Sequence, residues 1–545
     1  MSEVADWILT HAKICTADPQ MPFAEAIAVR GSRILHVGKL EDAQHYSGSQ
    51  TKHLDGQGNT LLPGLIDSHI HLVRGSLDLD EINLSQVRTL EDLRRTIHAV
   101  LAQNPRREWL VGRGLLYISL PGGETLNRHY LDEIVSNRPL IVFAYDTHTA
   151  WANTEALRRA NLLYGRQTSA NSQVVMANDG TAHGELREPE AYNLVLDLIP
   201  PRSEDEMRAL LRKGLAQTVA CGITSVHNMG LDNHTAQPMD GSEESLRLLL
   251  ALEGQGELPL RVSYSMSVAP ETSVDVLREF AALKDRYPSE RVRLGAIKMF
   301  MDGVIESYTA LLLEDYADQT GQRGGAHFSP QQFQAVAFEA ERLGLQMIVH
   351  AIGDGAVRRA LDGFAAVQGA HGAKDRRHRI EHIELIHPSD LPRFAELGVI
   401  ASMQPFHVPM EAHGEDIWPR RVGEARWRYS FAWRDLRQSG ACLIFGSDWP
   451  VVTQNPFQGF AAALNRPPWA PALPDQRQSL IETIHSYTHH AAFAEFQEHQ
   501  KGMLRPGFLA DMVLLSEDLF TVPSQEIARV HPLLTICNGR IVYQA

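Results

Sequence analysis

Several apolar runs in this chain end on a residue that can bind a metal. Leu65-Ile-Asp67-Ser-His69-Ile-His71 closes on two histidines at alternate positions. Gln346-Met-Ile-Val-His350, Arg379-Ile-Glu381-His382 and Leu443-Ile-Phe-Gly-Ser-Asp448 each bring a run to a histidine or aspartate, and Ile223–His227 does the same. An isolated His-x-His is common and says little. Four histidines and an aspartate at equivalent run ends suit Zn²⁺ or a similar divalent ion, which takes nitrogen and carboxylate ligands. In a strand, Leu65, Asp67, His69 and His71 share one face. Asp67 is then expected to hydrogen-bond beneath the ligands, because a ligating histidine needs a partner on its other nitrogen.

Lys298 ends another such run, Leu294-Gly-Ala-Ile-Lys298. A lysine ammonium aimed at a metal cluster would be repelled and costly to desolvate. Two arrangements relieve this. Lys298 is a CO₂-derived carbamate bridging two metals, whose field would stabilise the anion. Or it stays cationic and pairs with Asp302 or Glu306.

These residues need a scaffold that gathers strand ends. Eight buried-strand candidates occur: Leu65–His71, Ile223–His227, Leu260–Ser265, Leu294–Phe300, Gln346–His350, Arg379–Ile383, Val399–Gln404 and Cys442–Asp448. Helical stretches such as Gln331–Leu343 and Pro388–Leu397 separate them. The pattern predicts an α/β fold, a closed (β/α)8 TIM-like barrel with its site at the C-terminal rim. An insertion at about 77–202, with its own strands Trp109–Gly112 and Leu140–Ala144, is expected to rise over the mouth. The two ends read as short strands, with Asn538-Gly539 as a hairpin turn. Residues 1–58 and 500–545 are expected to form one discontinuous β-sandwich, with the barrel at 59–499.

Composition narrows the function. A formal charge of −15 over 545 residues argues against nucleic acid and anionic membrane surfaces. No apolar stretch approaches the ~18 residues of a membrane span, and the N-terminus does not resemble a signal peptide. Four scattered cysteines without C-x-x-C argue against a disulfide framework. These features predict a cytoplasmic protein.

The motifs LLPGLIDSHIHL (61–72), GITSVHNMG (222–230), IKMFMDGVIES (297–307), VHAIGDGAV (349–357), HRIEHIEL (378–385), FGSDWPV (445–451) and RPGFLADMVLL (505–515) come in an order that resembles the amidohydrolase superfamily. The resemblance is to its amidohydrolase 3, YtcJ-like branch. It implies that His69 and His71 bind the more buried of two metals, and that His350 and His382 bind the second. Lys298, as carbamate, would bridge them, and Asp448 would bind the first metal and act as general base. The family also shows an Asp-Gly-His-x-x-Trp-x-Asn stretch, here Asp146-Thr147-His148-Thr-Ala-Trp151-Ala-Asn153, with threonine for the usual glycine. His148 then reads as a substrate contact or as a surface histidine. His227 reads as lining the mouth or as a support beneath the ligands. Trp449 and Phe406-His407 read as pocket wall or as packing against loops, and His489-His490 as structural.

The implied reaction is hydrolysis of a carbon–nitrogen bond other than a peptide bond, in a formamide, N-acyl amide or cyclic amide. The absence of clustered arginines points to a small neutral or apolar substrate. A homodimer is the assembly the resemblance implies. The competing readings are a mononuclear deaminase, decarboxylase or isomerase on the same barrel, and a non-catalytic metal-binding regulatory protein.

Overall fold

The computed structural model describes residues 3–117, 125–145, 147–168, 172–230, 238–414 and 416–545. Its centre is an eight-stranded parallel sheet in which the strands pair in chain order. They are Leu65–Ile70, Ile223–Asn228, Arg261–Val268, Val292–Phe300, Gln346–Ala351, Arg379–His382, Ile400–Met403 and Leu443–Phe445. Each expected strand is present, displaced by a few residues at most. The first and eighth meet at their C-terminal ends, where Asp448 N–H donates to His69 O at 2.7 Å and His71 N–H to Trp449 O at 2.9 Å. Gly446 permits this approach, since a Cβ there would stand 2.4 Å from the His69 backbone nitrogen.

Helices cover the outside of the barrel. The helix before the second strand, Glu204–Ala220, starts at a Ser203–Glu206 capping box that satisfies its free N–H groups. The helix Pro330–Leu343 starts at Ser329 and stops at Gly344, whose φ of +69° suits a residue without Cβ. The stretch expected as one helix after the sixth strand is a 3-10 turn, Pro388–Asp390, followed by the helix Leu391–Leu397.

Both termini contribute to the sandwich. One sheet pairs Arg33–Gly38, Ala26–Arg30, Trp7–Thr10 and Lys52–Asp55. The other pairs Arg540–Gln544, Pro532–Cys537, Met512–Leu515, Thr60–Pro63, Lys13–Cys15 and Phe23–Ala24. Thr60–Pro63 therefore belongs to the sandwich, just past the expected boundary, and runs straight into the first barrel strand. Apolar side chains from the two sheets, Leu9, Ile27 and Val29 against Leu61, Met512 and Leu514, bury one another. Asn538 and Gly539 both have positive φ, as the expected hairpin turn requires.

The inserted region folds around a six-stranded mixed sheet that includes Leu110–Leu115, Leu140–Ala144, Thr149–Ala152 and Ala182–Arg187. Asn153 ties it together. Its side chain caps the helix Thr154–Arg159 through Ala156 N–H and donates to Val135 O at 2.7 Å. Among the described residues, no helix is long and apolar enough to cross a membrane.

Candidate metal centre

Asp448 stands where the ends of the barrel strands converge. Its Oδ1 is 3.2 Å from His69 Nε2 and 3.3 Å from His71 Nε2. Two ligands about 2.0–2.1 Å from one tetrahedral ion lie about 3.3 Å apart. His69, His71 and Asp448 thus fit one divalent cation. Asp448 Oδ1 is also buried without a hydrogen-bond donor, as a carboxylate oxygen kept for an ion would be. Its other oxygen faces His382 Nδ1 at 4.0 Å and His407 Nε2 at 3.8 Å, both buried and without hydrogen-bond partners.

The histidines are held so that a lone pair faces inward. His69 Nδ1 meets Glu381 Oε2 at 2.5 Å, leaving Nε2 for the site. His71 Nδ1 donates to Gly230 O at 3.0 Å, with the same result. His350 spends Nε2 on Gly303 O at 3.1 Å, which leaves Nδ1. Its ring centroid is 4.5 Å from that of His382. Burial, reinforced by the Lys298 charge, pushes the pKa of His69 and His350 down. Burial and the neighbouring His350 do the same to His382. Neutral imidazole is the ligating form.

Lys298 is fully buried, with Nζ 3.5 Å from His69 Nε2 and 4.9 Å from the centre of the Phe300 ring. Among the described residues it makes no ion pair within bonding distance. Asp302, one of its two expected partners, instead accepts backbone N–H groups from Leu311, Ile352 and Gly353 at 2.8–3.0 Å. Glu306, the other, accepts the Tyr145 hydroxyl at 3.1 Å. Burial pushes Lys298 down to about 8, which brings the neutral amine within reach near neutral pH.

The partner of His69 differs from expectation. Asp67 accepts backbone N–H groups, from His69 at 3.2 Å and Ser447 at 2.9 Å, and takes no part in orienting the ring. Glu381 does that, and it is itself held by Arg379 at 2.8 and 3.0 Å. Burial pushes Glu381 up, but Arg379 and His69 hold it well below its ordinary value. Arg379 also bonds Ser68 O at 2.6 Å, Ser402 Oγ at 3.1 Å and His227 Nδ1 at 3.0 Å. His227 uses its other nitrogen on Ser265 at 2.8 Å, so it lies among the supports and not at the mouth.

His148 comes from the insertion to within 6.0 Å of the His350 ring and pairs through Nδ1 with buried Glu188 at 2.8 Å. Thr147 takes the left-handed conformation, φ +62°, in the place where the resembled stretch has glycine. Asp146 lies outside the described residues. Trp449 lies against the helix Leu72–Asp78, where its ring occupies the space a Cβ on Gly75 would need. His489 and His490 open the helix His489–Ala494, and His490 packs 5.7 Å from His485, away from the ligands.

Comparison with known proteins agrees with this architecture. Residues 52–543 match the amidohydrolase family, and the chain belongs to it. It is 30% identical to the protein LONG AFTER FAR-RED 3 of Arabidopsis thaliana, over 99% of this chain and 92% of that one. It is 23% identical to an N-substituted formamide deformylase of Arthrobacter pascens, over 100% and 99% of the two chains. Among solved structures, an uncharacterized metal-dependent hydrolase from Pyrococcus horikoshii shares the fold with a TM-score of 0.74 at 24% identity, over 95% of this chain and 99% of that one. The protein is accordingly a hydrolase, and its His/Asp donor set fits a divalent metal.

Proposed function

We propose that this protein hydrolyses a carbon–nitrogen bond other than a peptide bond in a small neutral or apolar amide, such as a formamide, N-acyl amide or cyclic amide. The observation that carries this reading is the placement of Asp448, with one carboxylate oxygen toward His69 and His71 and the other toward His382 and His407. The similarity to a formamide deformylase along the whole chain supports the bond type. Bound divalent metal would supply the Lewis acid that acidifies water and polarises a carbonyl. His69, His71 and Asp448 would hold one ion, and His350 and His382 a second. Asp448 takes the proton of the attacking water and delivers it to the departing nitrogen.

Lys298, in this reading, would hold the two ions together as a carbamate. Its neutral amine adds to the carbon of CO₂, and the nitrogen loses a proton to solvent. That no carboxylate among the described residues comes within ion-pair distance of it, and its 3.5 Å approach to a ligating nitrogen, support that state. The test combines metal analysis of purified protein with a library of formamides, N-acyl amides and cyclic amides. Two ions per chain, turnover of one amide class and its loss in Asp448→Asn are expected. Metal-loaded protein that turns over no amide would overturn the bond assignment. Lys298→Ala with both ions and full activity would overturn the bridge.

A further inference from the structure

We infer that His407 is an additional ligand of the metal centre, joining His382 and Asp448 on the outer side of the shared carboxylate. The inference rests on the metal-dependent reading above. His407 lies in the short 3-10 turn Pro405–His407 after the seventh barrel strand, and the ligand set expected from the motifs takes nothing from that strand. Its ring is nearly parallel to His382, at 11° and 6.0 Å between centroids. Nε2 is buried, has no hydrogen-bond partner and faces Asp448 Oδ2 at 3.8 Å. One ligand atom from each of His382, His407 and Asp448 lies within 4.8 Å of the other two.

The far side of the ring makes the case specific. His407 Nδ1 faces Glu384 Oε1 at 3.8 Å, and Glu384 Oε2 accepts the indole N–H of buried Trp418 at 2.6 Å. A carboxylate fixed from behind thus stands by one imidazole nitrogen, and the other nitrogen points at the centre. Glu381 stands behind His69 in the same order but closer, at a hydrogen-bonding 2.5 Å, whereas the Glu384 carboxylate stands off at 3.8 Å. Ligating histidines commonly show this carboxylate–imidazole–metal order. A ring that only packed against His382 would gain nothing from a buried nitrogen left without a hydrogen-bond partner, since that carries a desolvation cost. The gap to be closed is small: 3.8 Å against the about 3.3 Å of two ligands on one ion.

The test is a Zn²⁺ titration of metal-free wild type, His407→Ala and His407→Gln, with folding checked by circular dichroism. Co²⁺ absorption in the visible range gives a second readout of coordination. If wild type binds two ions, the inference expects each variant to lose one, or to bind it at least about tenfold more weakly, with an altered Co²⁺ spectrum. Two ions held with unchanged affinity and spectrum would overturn it. If wild type binds one ion, the two-metal reading fails. The inference then stands on whether that ion is weakened in the variants, and falls if it is not. If wild type binds none, the metal reading fails and takes the inference with it. The glutamine variant retains bulk and polarity should the alanine variant fail to fold.

Discussion

His69 Nδ1 lies 2.5 Å from Glu381 Oε2, and both side chains are completely buried. This contact sets the tautomer of His69 and aims Nε2 at Asp448. Glu381→Gln keeps the shape of the side chain and removes its charge. Metal affinity should fall by about 10–100-fold, the usual cost of losing a carboxylate behind a ligating histidine, in a protein that is also less stable because Arg379 loses its buried counter-charge. Equilibrium metal titration reads this directly. Unchanged affinity would mean that the ring is oriented without Glu381.

Arg379 gives the second prediction. Its guanidinium spans Glu381, Ser68 O, Ser402 and His227, all inside the barrel. Arg379→Met leaves the Glu381 carboxylate buried without its cation, and breaking a buried pair in this way costs about 3–5 kcal/mol. Arg379→Lys should recover only part of that, because one ammonium cannot reach four partners held by a planar fork. Urea unfolding of the metal-free proteins measures both. A loss below about 1 kcal/mol for the methionine variant would show that water or rearrangement replaces the arginine.

The barrel and the residues that gather as a candidate donor set were legible in the sequence, because a buried parallel strand is a short apolar run and a polar residue at its end stands out. Asp448, His69, His71, His350, His382 and Lys298 all emerged that way. The support of His69 did not. Strict alternation puts Glu381 and His382 on opposite faces, yet both act at the centre. The reason is local: His382 and Ile383 have positive φ, +72° and +49°, so the strand turns over within one residue. No periodic pattern signals that turn, and Glu381 meets His69 across the barrel from 312 positions along the chain. Asp67 had the right spacing for the role, but its carboxylate is taken up by backbone N–H groups. His407 was legible only as pocket wall or loop packing, since it follows its strand in a 3-10 turn with no alternation to place it.

Thr147 tests the edge of the insertion. It sits at φ +62°, where a β-branched residue is disfavoured and glycine is not. Thr147→Gly removes that strain at the expense of a more flexible unfolded chain. The net expectation is a gain of up to about 1 kcal/mol in denaturant unfolding. The neighbouring His148–Glu188 pair should be preserved. A clear loss of stability would show that the threonine side chain makes a contact worth more than the strain it carries.

Acid should weaken the barrel through His378. Its Nδ1 accepts the Met347 backbone N–H at 3.1 Å, and its ring stacks on Phe364 at 4.9 Å. Burial pushes its pKa from 6.5 down to about 4. The unfolded chain therefore takes up the proton first. The contribution of His378 is fully present above about pH 6.5 and is lost progressively as the pH falls to about 4. A difference of about 2.5 pKa units corresponds to about 3 kcal/mol. His378→Phe keeps the ring and cannot titrate. At pH 7 the variant should be the less stable, because the Met347 N–H loses its acceptor. As the pH falls from 7 to 4, the gap between wild type and variant should shrink by up to about 3 kcal/mol, whatever the other groups do. Urea unfolding of the metal-free proteins at several pH values measures that gap, and a constant gap would rule out His378 as the acid-sensitive group.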